Sequence, residues 1–224
     1  MNVALTLLCI GATVALVGAE ALIARRPSRP RAIVRAASKT IAAAAFVAIG
    51  LLAPSTSAFA HAIQIGLVLG AIGDVALLGH AEKAFLGGLV AFLGGHIAYV
   101  VAATYVLAIG AWPAAAGPLA LVPIVAGGIA LAWLWRHLGA LRFPVIIYVL
   151  AIVLMVVAAV ALWRAQALPT PQRTRFLIGA VLFFASDVAV ARHKFVAPGL
   201  TNQTWGLPAY FAGQLLIAWT LVGL

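Results

Sequence analysis

Two of the four carboxylates in this chain lie where a charge is costly, within long apolar segments that have the composition of membrane spans. They are Asp74 and Asp187. An ionisable side chain in the middle of a span costs roughly 2.5–3.5 kcal/mol on insertion scales, so such residues usually serve a function. Both acids stand in the string Asp-Val-Ala with a histidine six positions after the acid, His80 and His193. We therefore predict one polar site that is built from two parts of the chain.

Other polar residues in the apolar segments are placed to serve the same site. His96 and Tyr99 are three positions apart and Tyr210 and Gln214 are four apart, so each pair shares one face of a helix. Tyr148 lies in a further apolar segment. Intramembrane acids and a histidine are suited to proton transfer. They could also bind a metal ion, but no closely spaced motif such as H-E-x-x-H occurs, so we predict neither a metal nor another cofactor.

The composition indicates that a membrane bundle holds these residues. The chain of 224 residues is 66% hydrophobic and 8% charged, which is more apolar than a soluble domain of this length can bury. We predict an all-α, polytopic bundle that forms a single integral membrane domain over residues 1–224. The formal charge of +10 does not indicate a nucleic-acid partner, because the basic residues fall between the apolar segments.

Eight segments are apolar enough to be spans, each of which needs about 20 mostly apolar residues. The second and seventh are short and would need to extend into their flanks. The eight predicted spans are residues 3–23, 40–53, 62–79, 85–109, 118–135, 143–163, 176–191 and 205–224.

The loop charges predict the orientation of the bundle. Eleven of the 14 Lys and Arg residues fall in the first, third, fifth and seventh loops, and three fall in the sixth. By the positive-inside rule, the odd loops are cytoplasmic and both termini lie outside the cytoplasm, in a multi-pass protein of the cell (inner) membrane. Asp74 and Asp187 then lie at similar height near the cytoplasmic side, and His96 about 10 Å deeper if the helices are straight.

Spans 3 and 4 resemble spans 7 and 8. Each pair has an acid near the end of its first helix and a polar residue deep in its second, His96 in one pair and Gln214 in the other. Both pairs cross the membrane in the same directions. This similarity predicts a possible parallel repeat.

Several strings resemble the YhhN family of lysoplasmalogenase-like membrane proteins. They are GDVAL (73–77), GLVAFLGGHIAY (88–99), SD (186–187) and YFAGQ (210–214), together with Tyr148 followed by Met155. The likeness covers nearly the whole chain in order, with eight spans. One departure is Lys39-Thr40, where the family often has Lys-Pro.

The resemblance implies an activity. Characterised members hydrolyse the vinyl ether bond of lysoplasmalogens to a fatty aldehyde and a glycerophospho-alcohol. That chemistry needs a protonated acid to protonate the β-carbon and an ionised carboxylate to stabilise the oxocarbenium ion, as in glycosidic cleavage. A buried pair of neighbouring acids can supply both species. The expected partners are a lysophospholipid substrate and membrane lipids.

The resemblance also suggests roles for the polar residues. Asp74 and Asp187 are the expected catalytic pair, with Asp187 as the acid, and they should face each other across a cavity. The headgroup should lie at the cytoplasmic surface on Lys39 or Arg192, and the tail should run toward the midplane. The expected substrate-binding residues are Lys39, His96, Tyr99, Tyr148, Tyr210 and Gln214.

Two other functions fit the same residues. Buried acids and a histidine would also suit a proton relay in a small proton-coupled transporter, for which a parallel repeat is a familiar architecture. A lipid-binding membrane protein without catalysis is the third possibility. Release of aldehyde from a lysoplasmalogen in detergent distinguishes them, because an enzyme needs no sealed compartment and a transporter does.

Overall fold

The computed structural model describes residues 2–54, 56–79 and 81–223, and within them the chain is helical without a strand. His80 lies outside the described residues. The helices are α1 Asn2–Arg25, α2 Arg29–Leu51, α3 Ala58–Ala76, α4 Glu82–Thr104, α5 Trp112–Ala116, α6 Leu121–Leu134, α7 Arg142–Arg164, α8 Thr170–Ala191 and α9 Leu200–Trp219. Short 3₁₀ turns flank α5 and α6, and a π-helical turn, Arg192–Val196, continues α8.

The prediction of an all-α membrane bundle is confirmed. Among the described residues, seven helical stretches are long and apolar enough to cross a membrane. They correspond to the first seven predicted spans. The eighth is α9, which is 20 residues long but begins with the polar run 201–204 and is therefore less hydrophobic.

Helices α2 and α8 are longer than the second and seventh apolar segments, from which they were predicted. Helix α2 begins at Arg29, eleven residues before the predicted edge of its span, so that Arg35 and Lys39 lie on a helix and not in a loop. Arginine and lysine favour helix although they lower the local hydropathy, so a hydropathy window ends before the helix does. Helix α8 likewise begins at Thr170 and reaches Val196 through the π turn.

The helical stretch that contains the predicted fifth span, Ile109–His137, begins before that span and is broken into α5, α6 and three short 3₁₀ turns. Pro113 and Pro118 begin two of these pieces, and Gly117 has a φ of +54°, which an L side chain rarely adopts. Helix α6 packs closely on α7, because Gly127 has no side chain where Val153 approaches it. The result is a short helix that is held mainly from one side.

The two hairpins α3–α4 and α8–α9 have closely similar packing. In the first, a Cβ atom at Gly95 would lie 3.3 Å from the carbonyl oxygen of Gly66. In the second, a Cβ at Gly213 would lie 2.9 Å from the carbonyl oxygen of Gly179. Gly66 and Gly179 each lie eight residues before the acid of their own hairpin, and Gly95 and Gly213 each precede the polar residue of the second helix. Glycine therefore places corresponding residues of the two hairpins at corresponding heights.

Candidate active site

A cavity of about 420 Å³ opens between the helix ends on one side of the bundle. Every helix except α5 contributes to its lining. Asp74 from α3 and Asp187 from α8 both line it, with Lys39, Tyr148 and Tyr210. Both intramembrane acids thus share one cavity.

Asp74 is fully buried and is held by two donors. Its Oδ1 lies 3.3 Å from the Nζ of Lys39, and its Oδ2 accepts a hydrogen bond of 2.8 Å from the hydroxyl of Tyr210. The Tyr210 ring is fixed by edge-to-face packing on Phe92 and Phe183, with centroid distances of 5.6 and 5.2 Å. Both carboxylate oxygens of Asp74 are therefore engaged, one of them by a cation.

A chain of hydrogen bonds leads from Tyr210 into the interior. The Tyr210 hydroxyl accepts from the Nε2 of Gln214 at 3.3 Å, and the Oε1 of Gln214 accepts from the Tyr99 hydroxyl at 2.7 Å. Side chains at Gly66 and Gly70 would collide with Tyr99 and Gln214 respectively. The glycine stripe on α3 thus makes room for the residues that orient Tyr210.

Asp187 has different partners. Its Oδ2 accepts a hydrogen bond of 2.9 Å from the Tyr148 hydroxyl and lies 3.5 Å from the Nε2 of His96. The structure gives its Oδ1 no hydrogen bond within the described part of the chain, and no Lys or Arg nitrogen of those residues lies within 4.0 Å of the carboxylate. The side chain is 17% exposed, against 2% for that of Asp74.

His96 is completely buried behind Asp187. Its ring packs on Phe183 and Tyr148, with centroid distances of 4.5 and 5.1 Å. The sequence predicts that His96 lies about 10 Å deeper than the acids if the helices are straight. In the structure, its Nε2 is only 3.5 Å from the Oδ2 of Asp187. Because the π turn extends α8 to Val196, Asp187 lies nine residues inside that helix and not near its end.

Three of the six predicted substrate-binding residues do not line the cavity. Position along a helix gives the depth of a residue, but it does not determine the direction in which the side chain points. All three are fully buried, and two of them bind other polar side chains directly. These three residues are His96, Tyr99 and Gln214, and their part in substrate binding stays a prediction.

The two residues predicted to hold the headgroup, Lys39 and Arg192, both contact other side chains of the protein. Lys39 is 8% exposed and is paired with Asp74, so its charge is used inside the site. Arg192 does not line the cavity, and its guanidinium donates a 2.6 Å hydrogen bond to the Oδ1 of Asn202. Within the described part of the chain, the charged residues at the mouth are Glu20, Arg35 and Lys194, none of which was a predicted site residue. Arg35 was within reach of prediction, since it precedes Lys39 by one helical turn.

The fold and the acid pair define a polytopic helical membrane protein with a polar cavity between its spans. The chain belongs to the YhhN family, whose family model matches residues 34–221. It is 30% identical to lysoplasmalogenase TMEM86A of Bos taurus, over 71% of this chain and 65% of the relative. It is 35% identical to a lysoplasmalogenase of Mycobacterium tuberculosis, over 67% of this chain and 56% of the relative.

A third relative is the uncharacterized membrane protein YhhN of Escherichia coli O157:H7, which is 25% identical over 75% of this chain and 78% of the relative. The matches to the two named lysoplasmalogenases thus span less than two thirds of the length of those relatives. No solved structure matches the chain.

Proposed function

We propose that the protein hydrolyses the vinyl ether bond of lysoplasmalogens, releasing a fatty aldehyde and a glycerophospho-alcohol. The names of the curated relatives support this activity. The observation that carries the proposal is a cavity with two carboxylates in unlike electrostatic surroundings, since the reaction needs one acid that is protonated and one that is ionised.

The hydrogen bonds suggest which acid plays which role. Lys39 and Tyr210 donate to both oxygens of Asp74, and an opposite charge at 3.3 Å stabilises the carboxylate form. Among the described residues, Asp187 has no Lys or Arg nitrogen within 4.0 Å, and its Oδ1 is free to carry a proton while Tyr148 holds Oδ2. Asp187 is therefore the proton donor, and Asp74 is the ionised partner.

The reaction then follows in three steps. Asp187 gives its proton to the β-carbon of the vinyl ether, and the electron pair on the ether oxygen forms the oxocarbenium ion, which the carboxylate of Asp74 stabilises. Water adds to the cationic carbon and returns a proton to Asp187. The resulting hemiacetal breaks its bond to the glycerol oxygen, with transfer of the hydroxyl proton to that oxygen, and the aldehyde leaves.

The polarity of the cavity supports one orientation of the substrate. Arg35 and Lys194 lie at the mouth, whereas the part of the lining on α6 and α7 is apolar and includes Ala130, Val149 and Ile152. A lysoplasmalogen has its scissile bond between a charged headgroup and an apolar tail. With the headgroup at the mouth and the tail toward α6 and α7, the vinyl ether lies between the two acids.

The test is release of aldehyde by the purified protein in detergent. Wild-type protein should release aldehyde from a lysoplasmalogen, and should leave unchanged the matched lysophospholipid that has a saturated ether in place of the vinyl ether. No aldehyde from lysoplasmalogens of any headgroup would refute the proposal. An activity that requires a sealed vesicle would favour the transporter.

We also propose that the cavity mouth faces the cytoplasm, as the positive-inside rule predicts from the loop charges. A single cysteine in place of Ser28, which is exposed between α1 and α2, should react with an impermeant thiol reagent only after the cytoplasmic side is opened. A cysteine in place of Gln166, exposed between α7 and α8, should react in intact cells. The reverse pattern would invert the topology.

A further inference from the structure

The mouth of the cavity holds charges of both signs. Glu20 of α1 and Arg35 of α2 line it, and the Oε1 of Glu20 lies 4.0 Å from the Nη1 of Arg35. This distance is too long for a hydrogen bond. Each side chain is largely buried, at 11% and 19% exposure. A loosely paired acid and base at a partly buried position leave both charges with capacity for a further partner.

The guanidinium of Arg35 has an unused donor. Its Nη2 donates to the carbonyl oxygen of Leu78 at 3.1 Å, whereas its Nε is buried and has no hydrogen-bond partner among the described residues. A phosphate oxygen would satisfy such a donor. A second cation faces the same mouth, because the π turn places the Nζ of Lys194 over the ring of Phe85, 4.4 Å from its centroid.

The spacing between the mouth and the acids matches a glycerophospholipid. Arg35 and Lys39 are one turn apart on the same face of α2, about 6 Å along the helix. Lys39 is the cation that holds Asp74. In a lysoplasmalogen, five bonds join the phosphorus to the ether oxygen, roughly 6 Å when extended, since three backbone bonds span 3.8 Å. A phosphate on Arg35 therefore places the vinyl ether at the level of the acids.

We propose that this mouth is a binding site for a zwitterionic headgroup, with the phosphate on Arg35 and Lys194 and the ammonium group on Glu20. The inference rests on the proposed function and adds the headgroup that the site selects. Glu20 precedes the family-matched segment 34–221, so this acid is outside the part of the chain by which the family is recognised. Binding of the headgroup would replace the 4.0 Å ion pair between Glu20 and Arg35 with two closer ion pairs, one between Arg35 and the phosphate and one between Glu20 and the ammonium group.

The test compares two lysoplasmalogens with the same tail, one with phosphoethanolamine and one with a bare phosphate. Glu20→Gln should raise KM for the ethanolamine lipid by about tenfold, the size of one lost charge-assisted contact, with kcat and the values for the bare-phosphate lipid little changed. Arg35→Gln should raise KM for both lipids. The matched control is Glu82→Gln, at an exposed acid that does not line the cavity, which should change neither.

If Glu20 only braces α1 against α2, Glu20→Gln will alter both lipids by the same factor, and the proposal is wrong. Binding of soluble headgroups separates this question from catalysis. By calorimetry in detergent, wild-type protein should bind glycerophosphoethanolamine about tenfold more tightly than glycerol 3-phosphate, and Glu20→Gln should bind them equally. That difference without any hydrolysis would refute the proposed function and keep the headgroup site. Hydrolysis of lysoplasmalogens together with equal binding of the two soluble headgroups by wild-type protein would refute the headgroup site and keep the proposed function.

Discussion

Asp74 and Asp187 share a local sequence and a cavity, but their surroundings differ. A tyrosine hydroxyl donates to each of them. Asp74 has, in addition, the ammonium group of Lys39, whereas Asp187 has the ring of His96 and is more exposed. The comparison shows how one residue type can occupy two different electrostatic environments in a single cavity. What differs is the charge of the neighbour and the number of carboxylate oxygens that are already bonded.

The two acids also depend on each other's hairpin. Tyr210 on α9 serves Asp74 on α3, and His96 on α4 approaches Asp187 on α8. The correspondence between the hairpins is incomplete, since the position four residues before His96 is Phe92, whereas the position four residues before Gln214 is Tyr210. The hydroxyl for Asp187 comes instead from Tyr148 on α7. A pair of similar hairpins thus yields two unlike sites.

The largest effects should follow loss of either acid. Asp74→Asn and Asp187→Asn should each lower kcat by at least about 10³-fold, because general acid catalysis contributes 10²–10⁴-fold and charge stabilisation adds to it. Asparagine keeps the size of the side chain but neither donates an acid proton nor carries a charge. Both variants should still insert and bind substrate. Near-normal kcat in both would assign the pair a structural role.

Replacement of Lys39 tests whether turnover needs a positive charge beside Asp74. Lys39→Met leaves a buried carboxylate without its cation, so kcat should fall by about 10²-fold, whereas Lys39→Arg should retain most activity. The control is Lys194→Met at the mouth, which should raise KM and leave kcat. If Lys39→Met changed KM alone, Lys39 would be a headgroup contact.

The two tyrosines should give smaller and unequal effects. Tyr210→Phe removes one of two donors to Asp74, and Lys39 remains, so kcat should fall by about tenfold. Tyr148→Phe removes the hydrogen bond that holds Asp187 in place, and because no Lys or Arg in the described part of the chain pairs with that acid, the loss should be larger. Single-turnover measurements of the chemical step provide the comparison. Equal losses would contradict the difference between the sites.

The smallest effect should come from Gln214, which touches Asp74 only through Tyr210. Gln214→Leu leaves the buried hydroxyl of Tyr99 without its acceptor, which should cost about 1–3 kcal/mol of stability. Turnover should fall only a few-fold, because Tyr210 still donates to Asp74. The variant should therefore be clearly less stable in thermal unfolding in detergent, whereas its kcat should change only a few-fold. A loss of kcat as large as that of Asp74→Asn would give Gln214 a direct part in the reaction.

The sequence indicated which polar side chains lie inside the bundle, but it gave less information about the directions in which they point. Asp74 and Asp187 could be recognised because a carboxylate in an apolar span is costly. The directions of Tyr99 and Gln214 depend on rotation about the helix axes, which glycine contacts between helices set. Arg35 was assigned to a loop because hydropathy falls where charged residues occur, although the helix continues through them. The π turn that deepens Asp187 has no clear sequence signal.

We propose that, of the two acids, Asp187 is neutral and Asp74 is ionised in the resting protein. Infrared spectroscopy at neutral pH with ¹³C-labelled aspartate tests it directly, because a protonated carboxyl group has a carbonyl stretch that a carboxylate lacks. Wild-type protein should show this band, Asp187→Asn should lose it, and Asp74→Asn should keep it. A band that disappears in Asp74→Asn and persists in Asp187→Asn would contradict the account.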